Sequence, residues 1–104
     1  MIVYVDIDET ICISPDNRDY SRAQPIYENI KKINQMYASG DKIVYWTARG
    51  TGSGIDWREV TERQFLEWGV SYHELHFGKP IYDLFIDDKN INSKTFFKNT
   101  GEKK

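Results

Sequence analysis

Met1-Ile2-Val3-Tyr4-Val5-Asp6-Ile7-Asp8-Glu9-Thr10 is the stretch whose reading decides the fold. From Ile2 to Ile7 it is apolar and β-branched, interrupted only by Asp6. A continuous run of this kind predicts a strand buried on both faces, as in a parallel sheet. Acidic residues fall where the strand should end. In an open α/β sheet, that carboxyl edge is where ligands bind.

Downstream, Ser14–Ala23 is polar, with Pro15, Asp16, Asn17 and Asp19, and predicts a loop or small hairpin. Pro25 suits the first position of a helix. Ile26, Ile30, Ile33 and Tyr37 then recur at helical spacing until Gly40. Lys42–Thr47, with Ile43-Val44-Tyr45-Trp46, predicts a second buried strand, and Arg49–Gly54 a glycine-rich loop. Asp56 and Glu59 form a capping-box-like start for a second helix carrying Trp57, Val60, Gln64, Phe65 and Trp68 and stopping at Gly69. Tyr72–Phe77 is the weaker of two remaining strand signals. Tyr82–Ile86 is the stronger, ending at Asp87-Asp88, with Asp83 read as a structural carboxylate. Asn92 is placed to cap a short helix holding Phe96 and Phe97, and residues 98–104 predict a flexible tail. The order implies an α/β fold: one Rossmann-like domain over residues 1–104, with a mostly parallel central sheet flanked by helices. Too few residues lie between the elements for a cap domain.

The chain has 104 residues, 39% hydrophobic and 29% charged, enough for one packed core. A net charge of −2 excludes binding to nucleic acid by bulk charge alone. One cysteine provides neither an internal disulfide nor a thiolate zinc site and suits a reducing cytoplasm. No apolar run approaches the roughly 20 residues of a membrane span. An acidic motif directly after the first five residues is unlike a secretory leader. The expectation is a cytoplasmic protein away from membranes.

On this reading Asp6 and Asp8 end the first strand, Thr47 the second, and Asp87 and Asp88 the last, with Lys79 in the loop before it. Two carboxylates about 4 Å apart repel by roughly 1–4 kcal/mol, depending on the local dielectric. A hard divalent cation relieves that repulsion, and an oxygen-only ligand set favours Mg²⁺ over zinc.

Asp6-Ile7-Asp8-Glu9-Thr10, Thr47-Ala48-Arg49, Lys79 and Asp87-Asp88 resemble the four ordered motifs of the haloacid dehalogenase superfamily, most of whose members are Mg²⁺-dependent phosphatases. The resemblance implies that Asp6 is the nucleophile, forming an aspartyl-phosphate, and Asp8 the general acid and then base. It implies that Thr47 and nearby backbone N–H groups, including that of Ala48, hold the phosphoryl group, and that Lys79 neutralises charge. It makes Asp87 a metal ligand alongside Asp6 and the Asp8 carbonyl, and Asp88 a second ligand or a holder of metal-bound water. Arg49, at the rim, is expected to contact substrate. Glu9 stands where many small-substrate members carry Gly; the same DxDET also occurs in a branch acting on phosphorylated protein tails. Thr47-Ala48-Arg49-Gly50 and Lys79-Pro80 look closer to small phosphatases of bacterial surface-sugar biosynthesis. The implied substrate is a phosphorylated small molecule, with a phosphoprotein or nucleic-acid end as the alternative. Without a cap the site is open or covered by a neighbouring subunit of a homo-oligomer, and Ser14–Ala23 is the segment best placed to act as a lid.

Other patterns are weaker. Cys12 and Arg18 spell C-x₅-R, but Pro15 and Asp16 disfavour a phosphate-binding loop, and Cys12 reads as a buried core residue. Gly50, Gly52 and Gly54 fit no phosphate-loop motif. His73 and His76 would face opposite sides of a strand, so they make no metal pair, although His76 lies close enough to Lys79 in sequence to touch substrate. Trp46, Trp57 and Trp68 read as core. A receiver-like phosphate-binding module uses a similar residue set, but its acidic pair comes from the first strand and its phosphorylated Asp from a middle one. Here DxD comes first and the Asp pair last.

Overall fold

In a computed structural model that describes residues 1–98, the first strand, β1, spans Ile2–Val5. A short strand β2 (Cys12–Ile13) pairs antiparallel with β3 (Gln24–Pro25), with a 3₁₀ turn over Tyr20–Arg22 between them. Helix α1 covers Tyr27–Ala38, strand β4 Lys42–Trp46, helix α2 Arg58–Trp68, strand β5 Glu74–His76 and helix α3 Ser93–Phe96. The main sheet has the order β1-β4-β5, all parallel, with β4 in the centre. This is a Rossmann-like α/β fold with its parallel sheet flanked by helices. No helix among the described residues is long and apolar enough to cross a membrane. The tail expected over 98–104 lies outside the described residues beyond Lys98.

Register explains the core. Val3 and Val5 lie beside Ile43 and Tyr45, and Tyr45 lies beside Leu75. Parallel partners share a face, so these residues form one apolar surface. Ile30 and Ile33 of α1 and Phe65 and Trp68 of α2 belong to the same buried cluster. The opposite face carries Ile2 and Tyr4, 67% and 62% exposed. There Tyr4 meets Trp46 edge-on, and Lys42 pairs with Glu74 at 2.6 Å. Burial of β1 on both faces, expected from its unbroken apolar run, is therefore not found, because no described layer covers Ile2 and Tyr4.

Two boundaries differ from expectation. Pro25 lies in β3 and not at the start of a helix: Ile26 is the N-cap of α1, and its N–H donates to the Ile11 carbonyl. The two C-terminal strand signals exchange rank. Glu74–His76 is the strand, and every residue from 81 to 90 is exposed and irregular. At the second helix, Asp56 accepts from the Arg58 N–H, and Gly69 ends the helix in the left-handed region at φ 70°.

Tyr45 is wholly buried against Phe65 and Tyr72, and its hydroxyl has no hydrogen-bond partner among the described residues. Burial drives its pKa up. An unpartnered buried hydroxyl costs about 1–3 kcal/mol. Tyr45→Phe removes that cost while keeping the ring, and is expected to stabilise the fold by about 1 kcal/mol in urea unfolding. A loss of stability would mean that the hydroxyl has a partner.

Candidate active site

Beyond the carboxyl ends of β1 and β4 the chain makes two tight turns that fix what faces the opening. After Asp6, the N–H groups of Thr10 and Ile11 both donate to the Ile7 carbonyl. Glu9 sits in the left-handed region at φ 61°, a conformation that favours glycine and costs a residue with a Cβ about 1 kcal/mol or more. Its carboxylate accepts from the Ser14 N–H at 3.0 Å, which ties the turn to the following hairpin. After β4, the Thr47 N–H donates to the His76 carbonyl, and the Lys79 N–H donates to the Thr47 carbonyl at 3.1 Å. Thr51 Oγ1 then donates to the Lys79 carbonyl at 2.8 Å. Gly50 makes the connecting loop possible: at φ 82°, a Cβ would lie 2.1 Å from the Ile55 carbonyl oxygen.

The result is an open cleft of about 540 Å³ into which Asp6, Asp8, Thr47, Ala48, Arg49 and Lys79 all converge. Lys79 Nζ lies 3.6 Å from Asp6 Oδ1. Burial raises the pKa of Asp6 above its ordinary value, opposed by the charge of Lys79 and a hydrogen bond from the Ile7 N–H. Thr47 is buried, and its Oγ1 accepts from the Arg49 N–H at 3.1 Å. The loop of residues 14–23 forms the opposite wall through Ser14, Asp16, Arg18 and Tyr20, with Pro80, Ile81 and Tyr82 on the Lys79 side.

Arg49 corrects an expectation. It stands at the cleft, but it is 2% exposed and its guanidinium is turned inward. Nε and Nη2 donate to the two oxygens of Asp8, at 3.0 and 2.9 Å, while Nη1 donates to Thr61 Oγ1 and Gln64 Oε1. A guanidinium so engaged has no free edge to offer a substrate. Cys12 is buried beneath Asp8, with Sγ 3.4 Å from Oδ1, and burial, then the Asp8 charge, pushes its thiol up to about 12. Such a thiol is not a nucleophile. His76 contacts Glu74 and His73 accepts from the Ile43 N–H, so the two histidines go separate ways and neither lines the cleft.

Asp87 and Asp88 are not brought to the cleft. Both are exposed in the irregular segment after Lys79, where the Asp88 N–H donates to the Asp87 carboxylate. Their placement rested on a strand over Tyr82–Ile86, which does not form. Both Asp8 oxygens are on Arg49, and no group of three or more His, Cys, Asp or Glu among the described residues could hold a metal ion. The residues present therefore do not complete the Mg²⁺ site that the resemblance implies.

Sequence reasoning did not find Thr61, Gln64 and Ser14, all now tied to Asp8 or Arg49. The signal for two of them is legible in hindsight. Thr61 and Gln64 interrupt the apolar face of α2 beside Phe65 and Trp68, and buried polar side chains at core positions call for a polar partner.

A crystal structure of an MCSG target from Vibrio cholerae is similar, with a TM-score of 0.79 and 24% sequence identity over 91% of this chain and 85% of that chain. At that identity the likeness is one of fold. No family model and no curated protein matches the chain.

Proposed function

We infer that the cleft hydrolyses phosphomonoesters through an aspartyl-phosphate on Asp6, in the manner of the haloacid dehalogenase phosphatases. The observation that carries this reading is the meeting of Asp6 and Lys79 at 3.6 Å, beside Asp8 and Thr47, from three separate parts of the sequence. An Asp6 oxygen bonds to phosphorus as the bond from phosphorus to the ester oxygen breaks, and Asp8 gives that leaving oxygen a proton. Water then attacks the phosphorus of the aspartyl-phosphate, Asp8 takes the water's proton, and phosphate leaves as the Asp6 carboxylate is restored. Lys79 offsets the negative charge gathered on Asp6 and the phosphoryl oxygens, the kind of fixed charge that dominates phosphoryl-transfer catalysis. Sugar phosphates and similar small metabolites are the proposed substrates. Tyr20 and Tyr82 on the cleft walls offer faces for a ring, and Glu9, Asp16 and Arg18 offer groups for hydroxyls.

The test is hydrolysis of a generic aryl phosphate by the wild type beside Asp6→Asn, with and without Mg²⁺. Activity in the wild type and none in Asp6→Asn is the expected result, and equal rates in the two would overturn the reading. Any increment from Mg²⁺ that Asp87→Asn abolishes would assign that carboxylate to the metal. A panel of phosphorylated metabolites, phosphopeptides and nucleic-acid ends then ranks substrate classes.

The titration of Asp6 adds a second expectation. Only ionised Asp6 attacks phosphorus, and burial raises its pKa, so kcat/KM should rise with pH through a value above that of an unperturbed aspartate. The Lys79 charge works against that rise. Lys79→Met should therefore move the acidic limb to still higher pH and lower the plateau by about 10²–10³-fold. A pH–rate profile of the two proteins checks both.

A further inference from the structure

We propose that Arg49 is a positioning residue that fixes the Asp8 carboxylate so that its proton transfers run through Oδ2, an inference that rests on Asp8 being the acid and base of the cleft. The paired bonds from Nε to Oδ2 and from Nη2 to Oδ1 form a fork that a lysine ammonium cannot reproduce. The two oxygens are not equivalent. Oδ1 also accepts from Ser14 Oγ and Cys12 Sγ, whereas Arg49 Nε is the sole partner of Oδ2 among the described residues. Oδ2 keeps a lone pair for a proton in transit, first given to the leaving oxygen and then recovered from the attacking water.

Arg49 is itself braced from behind. Nη1 is held by Thr61 at 2.9 Å and Gln64 at 2.7 Å, the guanidinium lies 4.9 Å from the centre of the Tyr20 ring, and Gln64 Nε2 donates to the Tyr20 carbonyl. The brace joins α2 and the 3₁₀ turn of the lid segment to one carboxylate. With its side chain 0% exposed, Arg49 acts through Asp8 and not on the substrate.

Arg49→Lys keeps the charge and loses the fork. It should lower kcat on an alkyl phosphate by about 10²-fold, with KM little changed, because misplacing a reacting group by about 1 Å costs that much. On an activated aryl phosphate, whose leaving group needs no proton, the first step, read as the pre-steady-state burst of aryl alcohol, should be much less slowed. Hydrolysis of the aspartyl-phosphate, common to both substrates, should slow alike. Thr61→Val, which slackens the brace without touching Asp8, should show the same pattern more weakly and serves if Arg49→Lys does not fold. In an Asp8→Asn background neither substitution should lower kcat further. A dominant rise in KM, equal slowing of the first, phosphoryl-transfer step for both leaving groups, or full additivity with Asp8→Asn would overturn the inference. Wild-type hydrolysis and its loss in Asp6→Asn decide the reading of the cleft separately.

Discussion

Asp6→Asn should lower kcat for an aryl phosphate by a factor on the order of 10⁴ or more while leaving the fold in place. The amide has nearly the shape of the carboxylate but no anionic oxygen to bond to phosphorus, so the covalent step is lost outright. Asp6 is half-buried at the end of β1 and packs into no apolar cluster, so circular dichroism and the melting curve should stay close to wild type. Steady-state kinetics beside those two measurements decide the matter. A variant keeping more than about a hundredth of the activity would mean that another group attacks phosphorus.

The largest effect on stability is expected at Phe65, which is 1% exposed and lies edge-on to Tyr45 at 4.9 Å and Tyr72 at 5.0 Å. Phe65→Ala deletes the ring that joins α2 to the central strand and leaves a void, at a cost of about 3–5 kcal/mol. Against a total of about 5–15 kcal/mol for a domain of ordinary stability, that is a large share. At about 4–8 °C per kcal/mol for chains of about this length, the melting temperature should fall by roughly 12–40 °C. The neighbouring Leu66 is 84% exposed, so Leu66→Ala should change stability by no more than about 0.5 kcal/mol. Thermal and urea unfolding of the pair test whether burial, not helix position, sets the cost.

The contrast between Phe65 and Leu66 also marks what side-chain pattern can and cannot say. β1, β4 and the helices were legible because apolar residues recur at the spacing each element needs and because Gly40 and Gly69 end the helices. β5 was faint: Glu74-Leu75-His76 has one apolar residue, and it is a strand because its backbone lies in register beside β4. Tyr82–Ile86 had the pattern without the neighbour, and a strand needs a ladder as well as apolar side chains. The same holds for the site. Asp6, Asp8, Thr47 and Ala48 follow from strand ends, which sequence locates well. Lys79, by contrast, was read as a loop residue before a strand that does not form, and it is brought to the cleft beside Thr47, to whose carbonyl its N–H donates. The inward turn of Arg49 depends on Thr61 and Gln64, partners on another element that no local motif announces.

Cys12 gives the hairpin of β2 and β3 a reporter of its own. Its thiol is 0% exposed, remains protonated at neutral pH and lies under Asp8 in β2, beside Pro25 of β3. Alkylating reagents can reach it only when the short hairpin parts. The labelling rate of this single sulfur is thus a clock on how often the wall of the cleft comes undone.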